Sequence, residues 1–156
     1  MIGWSFGGWT VLATQEVDAR CGALVALAPG GSSKPLPGII PAQLTFAWLR
    51  EVPTLYLVAE QDQFTPLAGQ YELFERTPSS KTMFVLRNAD HGHFGDQIDD
   101  QTGCSAEHAQ SFTRALALAH MDGVLKHNPA AQHFLANDAA RALRDRGIAA
   151  VQYENL

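Results

Sequence analysis

The sequence predicts an α/β fold in which a parallel β-sheet is flanked by helices, and two patterns in the chain support this. Three short, continuously apolar segments, at 22–28, 54–59 and 82–86, are typical of buried strands. Helical stretches separate these segments, and connections of that length join parallel neighbours. The 156 residues are enough for one core, so we expect a single domain over residues 1–156.

The N-terminal part of the chain alternates short apolar segments with helical ones. Residues 1–2 are the end of an apolar run and are followed by a glycine-rich turn. We expect a helix over 6–16. The strand at 22–28 stops at a Pro-Gly-Gly sequence, and the Ser/Pro/Gly-rich segment 32–41 is predicted to be a loop. A short helix is expected over 43–50.

The middle of the chain repeats the same order of elements. Pro53 precedes the strand at 54–59, and a helix with proline in its first turn is predicted over 66–76. The strand at 82–86 then leads into a polar, Asp-rich loop over 87–103. The sequence therefore predicts two strands whose carboxyl ends both open into polar loops.

Helices dominate the last third of the chain. A long, well-buried helix is predicted over 105–127, with its first serine as N-cap. Asn128-Pro129 indicates the start of a further helix, and Asn137-Asp138 the N-cap of a last one that ends before Gly147. Residues 148–156 are expected to form a tail with at most a short strand.

Charge and composition narrow the classes of partner. A net charge of −5 argues against nucleic acid or an anionic membrane surface as the main partner. No apolar run reaches the length of a membrane span, and no signal peptide pattern is present, so the compartment stays open. Cys21 and Cys104 show no metal-binding spacing; we expect two reduced thiols, although a single bridge remains an alternative.

The segment Gly3-Trp4-Ser5-Phe6-Gly7 matches the G-x-S-x-G nucleophile elbow. In that motif the serine stands on a tight turn between a strand and a helix, with its hydroxyl exposed. We expect side chains at Gly3 and Gly7 to collide with neighbouring backbone, and the Phe6 N–H to donate to an oxyanion. The alternative is a glycine-rich helix start with a capping serine.

An acid and a base follow the nucleophile in the order that the elbow predicts. Asp62 comes just after the second predicted strand, and His91 just after the third. His91 would take the proton of Ser5, and Asp62 would orient the imidazole and stabilise its protonated form. Glu60 is the rival acid and His93 the rival base.

A metal site is an alternative interpretation of these histidines. His91 and His93 could form a metal cluster with Asp96, Asp99 and Asp100, but two histidines at that spacing are a weak signal, and we expect neither a metal nor a cofactor. Four remaining histidines are expected to be structural or exposed: His108, His120, His127 and His133.

Aromatic residues surround the predicted nucleophile and acid in the sequence. Trp4, Phe6 and Phe64 could line an apolar acyl pocket. Trp9 fits core packing equally well, and His93 could form a polar wall if it is not the base.

Three segments together carry a resemblance to the α/β-hydrolase superfamily, closest to its dienelactone-hydrolase and platelet-activating-factor-acetylhydrolase-like branch. They are G-W-S-F-G-G, P-T-L-Y-L-V-A-E-Q-D and A-D-H-G-H-F-G-D, in this order. His91, Phe94 and Asp96 match the spacing of that branch, which favours His91 over His93 as the base. The resemblance covers roughly residues 1–128 and implies a serine hydrolase that acts on small carboxylic esters without a cofactor.

The family carries several strands before the elbow, whereas this sequence begins at it. We therefore expect the C-terminal portion of an α/β-hydrolase domain, with the strands that supply a second oxyanion donor and part of the acyl pocket missing. Two alternatives stay open: a non-catalytic remnant or interaction module, and a peptidase or acyltransferase on the same scaffold. The oligomeric state is not predicted.

Overall fold

A computed structural model describes residues 1–34, 43–95 and 103–154, and within these ranges one five-stranded sheet forms the centre of the molecule. The strands lie side by side in chain order, and the first four are parallel, whereas the fifth runs antiparallel to the fourth. They are β1 (Ile2–Trp4), β2 (Leu24–Leu27), β3 (Thr54–Ala59), β4 (Lys81–Leu86) and β5 (Ala150–Glu154). The α/β class and the three predicted strands are confirmed, and β1 and β5 extend the sheet on either side.

Helices cover both faces of the sheet. They are α1 (Phe6–Thr14), α2 (Leu67–Arg76), α3 (Ala106–Leu125), α4 (Pro129–His133) and α5 (Ala139–Asp145), with a 3-10 turn at His91–Phe94. Two of the predicted caps form side-chain hydrogen bonds: the Ser105 side chain accepts from the His108 N–H, and Asn128 Oδ1 accepts from the N–H groups of Ala130 and Ala131.

The alternation of side chains along the buried strands divides the core into two layers. One layer packs under α1 and α2 and includes Leu24, Tyr56 and Met83. The other packs under α3 and α5 and includes Leu55 and Phe84. Burial on both faces explains why these strands are continuously apolar. In the described parts of the chain, none of the helices combines the length and the apolar composition that a membrane crossing requires.

The helix predicted over 43–50 is wrong, because these residues form an extended, irregular segment. Leu44 and Phe46 are buried and Trp48 packs against the same core, so every second residue faces inward. The Glu16 carboxylate accepts from the backbone N–H groups of Thr45 and Phe46, at 2.7 and 2.8 Å. In this segment, apolar residues at every second position indicate an extended chain.

The predicted last helix is present as α5, which begins directly after Asp138, but the expected side-chain cap does not form. The chain continues from α4 into α5 through a π-helical segment, Phe134–Asp138, and the Asp138 side chain makes no capping bond. The carboxylate instead pairs with Arg141 at 2.6 Å and lies 3.5 Å from His133. The Asp138 carboxylate therefore pairs with neighbouring side chains instead of capping α5.

Cys21 and Cys104 are both free, as expected.

Candidate active site

Ser5 lies on a strained turn between β1 and α1. Its φ of 56° and ψ of −120° are unusual for a residue with a side chain. The turn is held because the Ser5 N–H donates to the Leu27 carbonyl at 2.9 Å, while the Ser5 carbonyl accepts from the Trp9 N–H in α1. A Cβ at Gly3 would lie 2.2 Å from the Gly7 carbonyl oxygen, so only glycine fits there.

The expectation that Gly7 is also sterically required is wrong. A Cβ built on Gly7 meets no atom within 4 Å. The close approach is at Gly8 instead, where a Cβ would lie 2.9 Å from the Pro29 Cα and 3.1 Å from the Leu27 carbonyl oxygen. Gly8 is where α1 crosses the end of β2, a contact between two elements that are distant in the chain.

The structure brings Ser5, His91 and Asp62 together in one hydrogen-bonded row. The His91 Nε2 atom lies 2.9 Å from the Ser5 hydroxyl, and its Nδ1 atom lies 2.7 Å from Asp62 Oδ2. Ser5 follows β1, Asp62 follows β3 and His91 follows β4, so the carboxyl ends of three parallel strands deliver the three side chains to one edge of the sheet. This row is the arrangement that nucleophilic catalysis by serine requires.

Four hydrogen-bond donors among the described residues surround the buried carboxylate of Asp62. Oδ1 accepts from the backbone N–H groups of Phe64 and Thr65, at 2.9 and 2.7 Å. Oδ2 accepts from the Thr65 hydroxyl at 2.6 Å and from His91. Burial alone raises the pKa of Asp62, but the hydrogen bonds from His91 and Thr65 outweigh it and hold this pKa below its usual value. Asp62 therefore stays ionised.

Thr65 is the site residue that the sequence analysis missed. Its hydroxyl bonds to Asp62 Oδ2 and lies 3.4 Å from His91 Nδ1, so it contacts both the candidate acid and the candidate base. Its carbonyl accepts from the Gln70 amide, which also donates to the Pro29 carbonyl. Gln70 thereby ties the loop after β3 to the loop after β2. The sequence signal for a bond between Thr65 and Asp62 was a threonine three residues after the predicted acid.

The rival residues have other partners. The Glu60 carboxylate pairs with Arg87 at 2.5 Å and accepts from the Asn88 N–H. The His93 ring is buried, with Nδ1 2.7 Å from Asp90 Oδ1 and Nε2 3.1 Å from the Cys104 carbonyl oxygen. His93 is therefore neither the base that faces Ser5 nor an exposed pocket wall. It anchors the 3-10 turn that carries His91.

Aromatic rings lie around the Ser5–His91 pair. Trp4 and Phe64 each place a ring centroid 5.4 Å from the His91 ring. Phe6 stacks on Trp9 at 6.0 Å; Trp9 is buried in the core, whereas Phe6 is half exposed. Of the four pocket candidates, Trp9 therefore belongs to the core, and the other three border the site. Phe6 also begins α1, where the first N–H groups have no acceptor inside the helix.

No group of three potential metal ligands occurs among the residues that the structure describes. Asp96, Asp99 and Asp100, the other members of the possible metal cluster, lie outside the described residues. His120 is buried, with Nε2 3.2 Å from the Pro53 carbonyl oxygen, and burial lowers its pKa to about 4. His120 is thus a neutral structural residue.

A cavity of about 750 Å³ opens at the opposite edge of the sheet from the Ser5–His91 pair. It lies between α3 and the first residues of β3 and β4, and its lining includes Thr54, Lys81 and His120. Lys81 donates to the carbonyls of Glu75 and Thr77, and His120 to that of Pro53. Because Lys81 and His120 already bond to backbone carbonyls, we favour the Ser5 site over this cavity as the place for chemistry.

Models of known protein families contain no match to this chain, and a search of curated proteins finds no relative. Any functional assignment therefore depends on the site itself.

Proposed function

We propose that this chain is a serine hydrolase with an α/β-hydrolase fold, which cleaves carboxylic esters through an acyl-enzyme intermediate. The observation that carries the proposal is the unbroken row from Ser5 through His91 to Asp62, with contacts of 2.9 and 2.7 Å. A serine that only caps a helix needs neither a histidine on its hydroxyl nor a strained backbone, and Ser5 has both.

Each residue has a defined part in the proposed reaction. The neutral His91 takes the Ser5 proton at Nε2 as Ser5 Oγ attacks the ester carbonyl carbon. The Phe6 N–H would donate to the oxygen that becomes negative, and the ionised Asp62 stabilises the imidazolium. His91 then gives the proton to the departing alcohol oxygen. A water molecule attacks the acyl-enzyme by the same sequence and releases the acid.

The order of the strands supports the fold assignment. In an α/β-hydrolase the nucleophile, acid and base follow one another in the chain, each on a loop after a strand of one parallel sheet. Here they follow β1, β3 and β4 of such a sheet, and α1 begins directly after the nucleophile. The base follows the last parallel strand before the long helix α3.

The test is covalent labelling of the purified chain with a fluorophosphonate, measured by intact mass. The probe forms one adduct with an activated serine. We expect this adduct in the wild type and its loss in Ser5→Ala. Ser80→Ala is the matched control, because Ser80 is exposed and lies at the other edge of the sheet, and it should keep the adduct. No adduct in the wild type, or an adduct that persists in Ser5→Ala, would contradict the proposal.

A second measurement separates ester hydrolysis from related reactions. Release of 4-nitrophenol from 4-nitrophenyl acetate should show turnover that Ser5→Ala abolishes. Turnover of an anilide at a comparable kcat/KM would indicate a peptidase, and a rate that rises with added alcohol would indicate acyl transfer.

A further inference from the structure

Two aromatic rings lie directly beside the proposed base. The rings of Trp4 and Phe64 each lie 5.4 Å from the His91 imidazole, centroid to centroid. Phe64 is 79% exposed and Trp4 is 40% exposed, so both offer apolar surface to a ligand. The Phe64 backbone is also held in place, because its N–H donates to Asp62 Oδ1.

The proposed chemistry decides which half of an ester meets these rings. His91 Nε2 must protonate the departing alcohol oxygen, so that oxygen lies within hydrogen-bond distance of the imidazole. The carbon atoms attached to it then lie beside the imidazole as well. Rings in contact with His91 are therefore neighbours of the alcohol portion of the substrate, whereas the acyl portion extends from the Ser5 side.

The acidic groups that the structure describes in the loops after β3 and β4 are paired. Glu60 is paired with Arg87, and Asp90 with His93. Asp62 is buried and bonded to His91. None of these pairs leaves a free cation to attract a negatively charged alcohol portion, and within the described residues the exposed rings of Trp4 and Phe64 lie beside His91. Flat apolar groups gain most from such a surface, both by burial and by ring stacking.

We propose that Trp4 and Phe64 select esters whose alcohol portion is a flat apolar group, such as benzyl. This inference rests on the proposed esterase function and adds to it the identity of the favoured leaving group. Phe64 is the main determinant, because it has the larger free surface and its backbone is fixed by the catalytic acid.

The test compares benzyl acetate with ethyl acetate. Both esters form the same acetyl-enzyme and release alcohols of similar basicity, so a difference in kcat/KM reports contact with the alcohol portion. We expect benzyl acetate to be favoured by about tenfold in the wild type, the effect of burying roughly half a phenyl ring. Phe64→Ala should lower this ratio at least threefold.

Leu118→Ala is the control, because Leu118 is an exposed apolar residue on α3, outside the site. It should keep the wild-type ratio. Fluorophosphonate labelling of each variant checks separately that Ser5 is activated.

Each outcome has one meaning. A wild-type ratio near one in a chain that labels at Ser5 would overturn the inference and leave the esterase proposal standing. A high ratio that survives Phe64→Ala would overturn it as well. Failure of the wild type to label would instead refute the esterase proposal, and this inference with it.

Discussion

Asp62→Asn is the substitution that tests the site most sharply, because the structure determines how the new amide must lie. Oδ1 accepts from two backbone N–H groups, those of Phe64 and Thr65, and these donors cannot turn away. Oδ2 faces the Thr65 hydroxyl, which can rotate and accept, and His91 Nδ1. The amide oxygen of the variant should therefore take the Oδ1 position and its NH₂ group the Oδ2 position.

That orientation forces His91 into the wrong tautomer. An NH₂ group at the Oδ2 position donates to Nδ1, so the imidazole proton must sit on Nε2, which faces the Ser5 hydroxyl at 2.9 Å. His91 then donates to Ser5 and cannot accept its proton. A change of this kind lowers kcat by about 10⁴, which corresponds to about 5 kcal/mol of activation free energy.

The assay is turnover of 4-nitrophenyl acetate at pH 7, together with the rate of fluorophosphonate labelling and the unfolding free energy. The variant should stay folded, because the Oδ1 bonds persist and the Thr65 hydroxyl can reverse its bond. Glu60→Gln is the control and should change kcat less than about threefold, since the described contacts of the Glu60 carboxylate are with Arg87 and the Asn88 N–H. If folded Asp62→Asn kept more than a tenth of the wild-type rate, Asp62 would not be the acid.

Four further substitutions test the packing and the titrating groups of the structure. Gly3→Ala should lower the melting temperature strongly and Gly7→Ala only slightly, because a Cβ meets backbone at 2.2 Å at the first and nothing within 4 Å at the second; equal effects would contradict the packing described. Thr65→Val should lower the unfolding free energy by about 1.5–3 kcal/mol at pH 7. Because the pKa of Asp62 is depressed on folding, the full loss of unfolding free energy should appear above about pH 4 and become smaller below it. A loss that does not change with pH would show that the hydroxyl does not act through the carboxylate. His120→Gln should flatten the pH dependence of stability. The wild type, with a pKa of about 4 instead of 6.5, should lose roughly 3 kcal/mol as the pH falls from 6.5 to 4, and an unchanged profile in the variant would assign that loss elsewhere.

The strands that the sequence predicted best are those buried on both faces. Residues 54–59 were predicted as a strand and form β3 with the same bounds, because a six-residue apolar run with no free face has few alternatives. The segment 43–50 is extended although a helix is predicted there, and its inward residues Leu44, Phe46 and Trp48 recur at every second position. Its extended form depends on Glu16, which lies far away in the chain.

The candidate site also has features that the sequence predicts and features that it does not. The order of serine, acid and histidine, each after a strand, was visible in the sequence, because parallel strands must bring their carboxyl ends to one edge. The contact of Thr65 with both Asp62 and His91 was not visible, since it depends on the path of two loops. The role of Gly8 was missed for the same reason, because it needs β2 beside α1.

The sequence alone determined the chemical groups of the candidate site and the strand that each one follows. The resemblance favoured His91 over His93, but only the tertiary structure shows the contacts: His91 lies between Ser5 and Asp62, whereas Glu60 pairs with Arg87. Residues two apart have almost the same position along the chain, so their place after a strand does not by itself separate them. Their side chains differ in direction because the turns after β3 and β4 are shaped by contacts with distant parts of the chain, such as Gln70 with Pro29 and His93 with Cys104.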